Sequence, residues 1–230
     1  MKFFLDTADI KEIETILETG LLDGVTTNPS HVAKQNRPFM ELAKEIAGMV
    51  AGPVSVEVTA TNFDDMLRQA HMVASIAPNV NVKVPLVADG IKLVKKLTEE
   101  GIKTNVTLCF TPTQALCAAK VGATYISPFI GRLDDIGQEG MEGIRQIRKI
   151  YDNYGFQTQI LTASARSVLH IRDAALAGSD VVTMPFATFG QLLKHPLTDS
   201  GLQRFTDDFN KIPAELLGDW NAVAVEKKGA

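Results

Sequence analysis

The sequence predicts an α/β fold of one architecture: a single (β/α)8 TIM barrel with one or two extra helices at its C-terminal end. Three observations lead there. Eight short apolar runs rich in β-branched residues occur along the 230 residues, with segments of helical period between them. Their starts recur at intervals of roughly 20–34 residues, the length of one minimal βα unit. Strict alternation of strand and helix specifies a parallel sheet covered by helices, and eight units favour closure over an open doubly wound sheet. No Pro/Gly/Ser-rich linker or shift in composition divides the chain, so one domain is expected over residues 1–230.

The elements follow in order. KFFLDTA (2–8) is the first strand, and DIKEIETILETG the first helical segment, with Ile10, Ile13 and Leu17 recurring at three and four and Asp9 at the N-cap. GVTTN (24–28) precedes PFMELAKEIAGMV, and VSVEVT (54–59) precedes NFDDMLRQAHMVASI, for which Thr61 is the expected cap. VNVKVPL (80–86) leads into GIKLVKKLTEEG, opened by Asp89 and stopped by Gly101. TNVTLCF (104–110) leads into TPTQALCAAKVG, bounded by Thr111 and Gly122. TYISPFI (124–130) is followed by GMEGIRQIRKIYDNYG, which stops at Gly155, and TQILTAS (158–164) by SVLHIRDAALAG, which stops at Gly178. DVVTMPF (180–186) is the eighth strand. The rest reads as a helical tail over about 198–218 and a frayed polar end reaching 230, with Leu202, Phe205 and Phe209 at helical spacing.

Composition excludes several classes of function. With 27 acidic against 23 basic residues, a net charge of −4, the chain has no basic excess to drive nucleic-acid binding. No stretch approaches the ~18 uncharged apolar residues of a transmembrane helix, so no membrane span is expected. Asp6 interrupts the apolar start MKFFLDTAD before a signal-peptide core can form, and a cytoplasmic protein is expected. Cys109 and Cys117 form no CxxC and no His/Cys cluster, so neither a zinc site nor a disulfide framework is expected. His31, His71, His170 and His195 are scattered and read as structural or surface residues.

In a barrel of this kind the active site lies at the C-terminal ends of the strands. Period-2 alternation assigns the faces. Ser55, Glu57 and Thr59 oppose Val54, Val56 and Val58; Asn81 and Lys83 oppose Val82, Val84 and Leu86; Asn105 and Thr107 oppose Val106, Leu108 and Phe110; Thr162 and Ser164 oppose Leu161 and Ala163. A single polar position reads as the solvated face of a half-buried strand. A parallel sheet covered by helices has no such face, so polar positions on several strands point to a wet barrel mouth, with the apolar set packed under the helices.

Lys83 is the sharpest of these positions, a lysine inside an apolar strand. Desolvation disfavours the ammonium and frees the amine as a nucleophile, which Schiff-base chemistry with a carbonyl substrate requires. The competing reading is a snorkelling lysine, or an inert bridge to Glu57. Glu57, one strand earlier on the same face, can act as acid or base directly or through a water. Asp6 at the end of strand one matches that side and equally reads as punctuation before the first helix. Arg132 after strand six, with Ser164 and Arg166 after strand seven, would suit a phosphate.

At these residues the chain resembles the small transaldolase family, the group that also contains fructose-6-phosphate aldolase. The matching stretches are FFLDTAD, GVTTNPS, VKVPL, NVTLCF, SPFIGR and TASAR, in family order over residues 1 to about 195. The resemblance implies that Lys83 forms the Schiff base and that Asp6 transfers the proton at carbon–carbon cleavage. It implies that Glu57 and Thr107 hold the catalytic water, and that Asn28 and Asn105 bind substrate hydroxyls. Arg132, Ser164 and Arg166 would take the phosphate. Transaldolases carry glutamate on strand three and phenylalanine on strand six, where the aldolase subgroup has glutamine and tyrosine; Glu57 and Phe129 both fall on the transaldolase side. Phe129 has no ionisable proton to give.

The implied activity is transfer of a dihydroxyacetone unit between a ketose phosphate and an aldose phosphate, in the pentose phosphate pathway, with no metal and no organic cofactor. The implied partners are the sugar-phosphate substrates and further copies of the chain, a homo-oligomer of five or ten. Three other readings compete: fructose-6-phosphate aldolase, a sugar-phosphate isomerase or epimerase using Glu57 as base, and a sugar-phosphate-binding scaffold with an inert Lys83.

Overall fold

The computed structural model describes residues 1–222. Eight parallel strands close into a barrel in chain order: β1 (Lys2–Asp6), β2 (Gly24–Thr26), β3 (Val54–Glu57), β4 (Val80–Pro85), β5 (Thr104–Cys109), β6 (Tyr125–Pro128), β7 (Gln159–Thr162) and β8 (Val181–Met184). Each falls inside the run expected for it, and β8 returns to β1 with Leu5 opposite Met184. The fold is the (β/α)8 barrel the sequence predicts. Its chain divides into two compact units, Met1–Phe189 and a second beginning at Gly190.

The helices around the first unit bury apolar stripes and leave charge outside. Phe39–Met49 buries Leu42, Ala43, Ile46 and Ala47, and Gly140–Tyr154 buries Met141, Ile144, Ile147 and Tyr151, whose hydroxyl donates to the Ala115 carbonyl at 2.8 Å. In Ile10–Leu17 the buried pair is Ile13 and Ile16, while Ile10 and Leu17 are only half-buried.

Two caps are as read: Asp9 accepts from the Lys11 N–H at 2.8 Å, and Thr111 forms a capping box with Gln114. Two differ. Asn62, not Thr61, caps Phe63–Ala74 by accepting from the Asp65 N–H at 3.0 Å. The helix Ala88–Glu99 starts earlier than expected, because a tight turn brings the Val87 N–H onto the Pro85 carbonyl at 2.9 Å. Asp89 therefore sits in the first turn, where its negative charge still meets the positive end of the helix dipole. The stop residue Gly155 takes φ +65°, the left-handed cap that a side chain resists.

Strand faces set the site. β3 and β4 alternate as expected: Val54, Val56, Val82 and Val84 are buried, and Glu57 pairs in register with Lys83. β5 keeps this pattern only to Thr107. Its register shifts between Val106 and Cys109, Leu108 takes φ +60°, and Leu108 is partly exposed instead of packed under a helix. Cys109 is buried in its stead.

β7 is a second correction. Leu161 and Ala163 join Phe4, Tyr125 and Val181 in one buried cluster. Phe4 and Val181 share their faces with Asp6 and Thr183, which line the mouth, so this cluster fills the barrel interior. Thr162 faces the other way, its hydroxyl 2.8 Å from that of Ser179. Ser164 reaches the mouth because its backbone turns into the left-handed region, φ +59°.

In the second unit, Pro196–Phe209, Ala214–Leu217 and the 3-10 turn Gly218–Ala222 follow one another. No residue of Pro196–Phe209 is buried, and Leu202 and Phe205 are 67% and 66% exposed. The frayed end expected up to 230 lies outside the described residues.

Candidate active site

A cavity of about 360 Å³ opens at the C-terminal ends of the strands. Asp6, Asn28, Glu57, Lys83, Thr107, Phe129, Arg132, Ser164 and Arg166 all line it. Nine of the ten site residues expected from the sequence thus converge on one space.

Lys83 is only 5% exposed. Its Nζ donates to the Thr27 carbonyl at 2.9 Å and lies 2.9 Å from the Glu57 Oε2. The ammonium is therefore paired, as a buried cation must be. The bridge follows from the register of β3 and β4, which sets Glu57 beside Lys83. Thr107, two strand positions beyond Asn105, is buried, and its Oγ1 has no partner among the described residues.

Asp6 ends β1. Thr26 donates to its Oδ1 at 2.9 Å, and the Thr26 and Thr183 hydroxyls are 2.6 Å apart. Burial pushes the Asp6 carboxyl up. Hydrogen bonding to His31, the Lys83 charge, the His31 charge and the Thr26 hydroxyl outweigh it and hold the group below the ordinary carboxylate range.

Asn28 accepts from the His31 N–H at 3.0 Å and so caps the short helix Pro29–Ala33. Asn105, the tenth expected residue, lies one layer below the cavity. It is wholly buried, donating to the Ser55 Oγ at 3.0 Å and accepting from the Ser127 Oγ at 2.7 Å.

The arginines stand on the β6 and β7 side. The Arg132 guanidinium lies over the Phe129 ring, 5.1 Å from its centroid. Phe129 meets Phe110 edge to face. Arg166 forms a two-pronged pair with Asp135, its Nη2 donating at 2.8 Å. His170 accepts the Arg166 N–H at 3.2 Å, and its Nε2 lies 3.1 Å from Asp134. A β-carbon on Gly131 would stand 2.4 Å from the Ser164 carbonyl oxygen and 2.8 Å from the Arg166 Nε, so only glycine lets the two loops approach this closely.

The family described as Transaldolase/Fructose-6-phosphate aldolase matches residues 3–228. The chain belongs to that family. A protein of Anaeromyxobacter sp. (strain K) named "Probable transaldolase" is 57% identical over 93% of this chain and 98% of its own length. Two more proteins carry that name. One, from Leptospira biflexa, is 57% identical over 92% of this chain and 99% of its own; the other, from Geotalea daltonii, is 54% identical over 93% and 100%. Among solved structures, inosine 5' monophosphate dehydrogenase from Legionella pneumophila superposes with a TM-score of 0.59 over 82% of this chain at 14% identity, a likeness of fold alone. This chain spans 58% of that one's length.

Family membership makes the chain a transaldolase/aldolase-type enzyme, a family that sugar-phosphate substrates fit. No group of three or more His, Cys, Asp or Glu residues that could hold a metal ion occurs among the described residues, and no helix among them is long and apolar enough to cross a membrane.

Thr26, His31, Leu108, Ser127 and Thr183 also line the cavity, and none of them is among the site residues expected from the sequence. Alternation could have found Thr26 and Thr183. Nothing local marks Leu108 as a mouth residue, since it gets there through a break in the strand, or His31, which reads as a structural or surface residue.

Proposed function

We propose that this chain is a transaldolase that moves a dihydroxyacetone unit from a ketose phosphate to an aldose phosphate through a Schiff base on Lys83, in the cytoplasm and within the pentose phosphate pathway. The observation that carries the reading is the buried Lys83 amine held 2.9 Å from the Glu57 carboxylate at the mouth of the barrel. An isomerase would need a base at this point but not a desolvated amine beside it.

In this reading Glu57 takes the proton that Lys83 must lose, and the amine attacks C2 of the ketose. Glu57 and the unpartnered Thr107 hydroxyl hold the water that carries protons as the carbinolamine loses water and becomes an iminium. Asp6, kept ionised by its neighbours, accepts the C4 hydroxyl proton as the C3–C4 bond breaks, and the electron pair runs into the iminium. The aldose leaves. The enamine carbon then attacks the carbonyl carbon of the acceptor aldose, Asp6 returns its proton to the new alkoxide oxygen, and water adds to the resulting iminium to release the ketose phosphate and restore the Lys83 amine.

Asn28 holds a substrate hydroxyl, while Asn105, buried below the cavity, acts by accepting the hydroxyl of Ser127, which lines it. Arg132, Ser164 and Arg166 take the phosphate. Phe129 offers no proton to quench the enamine, which favours an acceptor aldose over simple release. The exposed Leu197, Leu202 and Phe205 support a homo-oligomer.

Borohydride reduction in the presence of fructose 6-phosphate, read by mass spectrometry, tests the chemistry. A three-carbon adduct on Lys83, absent in Lys83→Met, is the expected outcome; an unmodified Lys83 under turnover rejects it. Glyceraldehyde 3-phosphate release should require erythrose 4-phosphate, and acceptor-independent release would make the enzyme an aldolase.

A further inference from the structure

We infer that His31 is a positioning residue for Asp6: it holds the carboxylate turned toward the substrate and in the ionised form that the carbon–carbon step needs. The inference rests on the reading of Asp6 given above and adds a group to it.

The geometry is specific. The His31 Nε2 lies 3.4 Å from the Asp6 Oδ2, while Thr26 donates to the Oδ1. The carboxylate is thus gripped at both oxygens, one from β2 and one from the helix Pro29–Ala33. Asn28 fixes that helix by accepting the His31 N–H, so the ring is anchored to the same loop that lines the mouth. His31 is 27% exposed and Asp6 25%, so the contact is partly shielded and is not a surface ion pair of the weak kind.

The other groups around Asp6 are the Thr183 hydroxyl on β8, Lys83 on β4 and Glu57 on β3, with Arg132 and Arg166 on the β6 and β7 side of the cavity. Burial opposes ionisation of Asp6; the bond to His31 is the first of the contributions that overcome it, ahead of the Lys83 charge. Without His31, burial gains ground and the carboxyl rises. A base must be deprotonated to act, so activity of such a variant is lost at a higher pH than in the parent protein.

The test compares the full chain with His31→Leu and His31→Gln, using fructose 6-phosphate and erythrose 4-phosphate across pH. For His31→Leu, kcat/KM should fall roughly tenfold at pH 6 and no more than about twofold at pH 8.5, in kcat rather than KM. His31→Gln, which keeps an N–H donor, should recover most of the loss. A loss equal at every pH, a loss confined to KM, or no loss overturns the inference. The Asp6 carboxyl is also titrated by 13C NMR without substrate, its signal identified with Asp6→Asn. A midpoint that rises in His31→Leu supports the role even where transaldolase activity is absent, a result that would sink the functional reading alone. An unchanged midpoint overturns the inference whatever the activity.

Discussion

Lys83, Glu57 and Asp6 carry more electrostatic stake than any surface charge in this protein, because each gives up part of its hydration to line the mouth. Removing one partner of a buried pair costs about 3–5 kcal/mol, since the other is left uncompensated. The lysine was legible in the sequence because a cation inside an apolar strand such as VKVPL is rare without a partner. Glu57 followed from alternation. Gly131 was not legible as a site residue, since its role is to lack a side chain: a β-carbon would collide with the Ser164 carbonyl and the Arg166 guanidinium. Gly131→Ala should therefore raise KM for a phosphorylated ketose roughly ten- to hundredfold through displacement of both groups. Lys83 adduct formation at saturating substrate should survive. Steady-state kinetics with trapping checks this, and an unchanged KM would remove Gly131 from the account. Reactivity of the two thiols follows the same local logic: burial pushes Cys109 up to about 12, while Cys117 is exposed.

At the scale of elements, the eight strands and the seven helical segments between them were readable because each carries its own periodicity and its own stop signal. The errors fall where an element departs from ideal repeat. β5 breaks after Thr107, which turns Leu108 from the helix side to the mouth. β7 presents Leu161 inward and Thr162 outward, the reverse of what its polarity predicts, because at that level the barrel is filled by Phe4, Tyr125 and Val181 and wants an apolar partner. The first helix tests how much one cap matters. Asp9 accepts two backbone N–H groups at the start of Ile10–Leu17, so Asp9→Ala should cost about 1 kcal/mol and lower Tm by roughly 2–4 °C. Thermal unfolding followed by circular dichroism reads this directly; an unchanged Tm would mean that the packing of Ile13 and Ile16 alone holds that helix.

For the whole molecule, the barrel brings nine of the expected residues to one cavity from seven separate strand ends, although the chain as a whole is mildly acidic. The second unit leaves Leu197, Leu202 and Phe205 on the surface of Pro196–Phe209, an apolar face that a lone chain would expose to water. Light scattering should accordingly return a mass that is a multiple of 24.9 kDa. Phe205→Asp should shift that mass downward, and a monomer at micromolar concentration would refute the proposed homo-oligomer.

The sequence by itself determined the strand and helix order, the closed parallel barrel and the inward lysine with its acidic neighbour. These depend on local periodicity and on the rarity of an unpaired buried cation. Only the tertiary structure decided how deep each inward residue sits, which placed Asn105 below the cavity and Thr107 within it. It alone decided that His31 meets Asp6, and that β7 turns its apolar side to the axis. Depth and facing in a barrel follow from the tilt and stagger of all the strands together. No single strand's alternation contains that information.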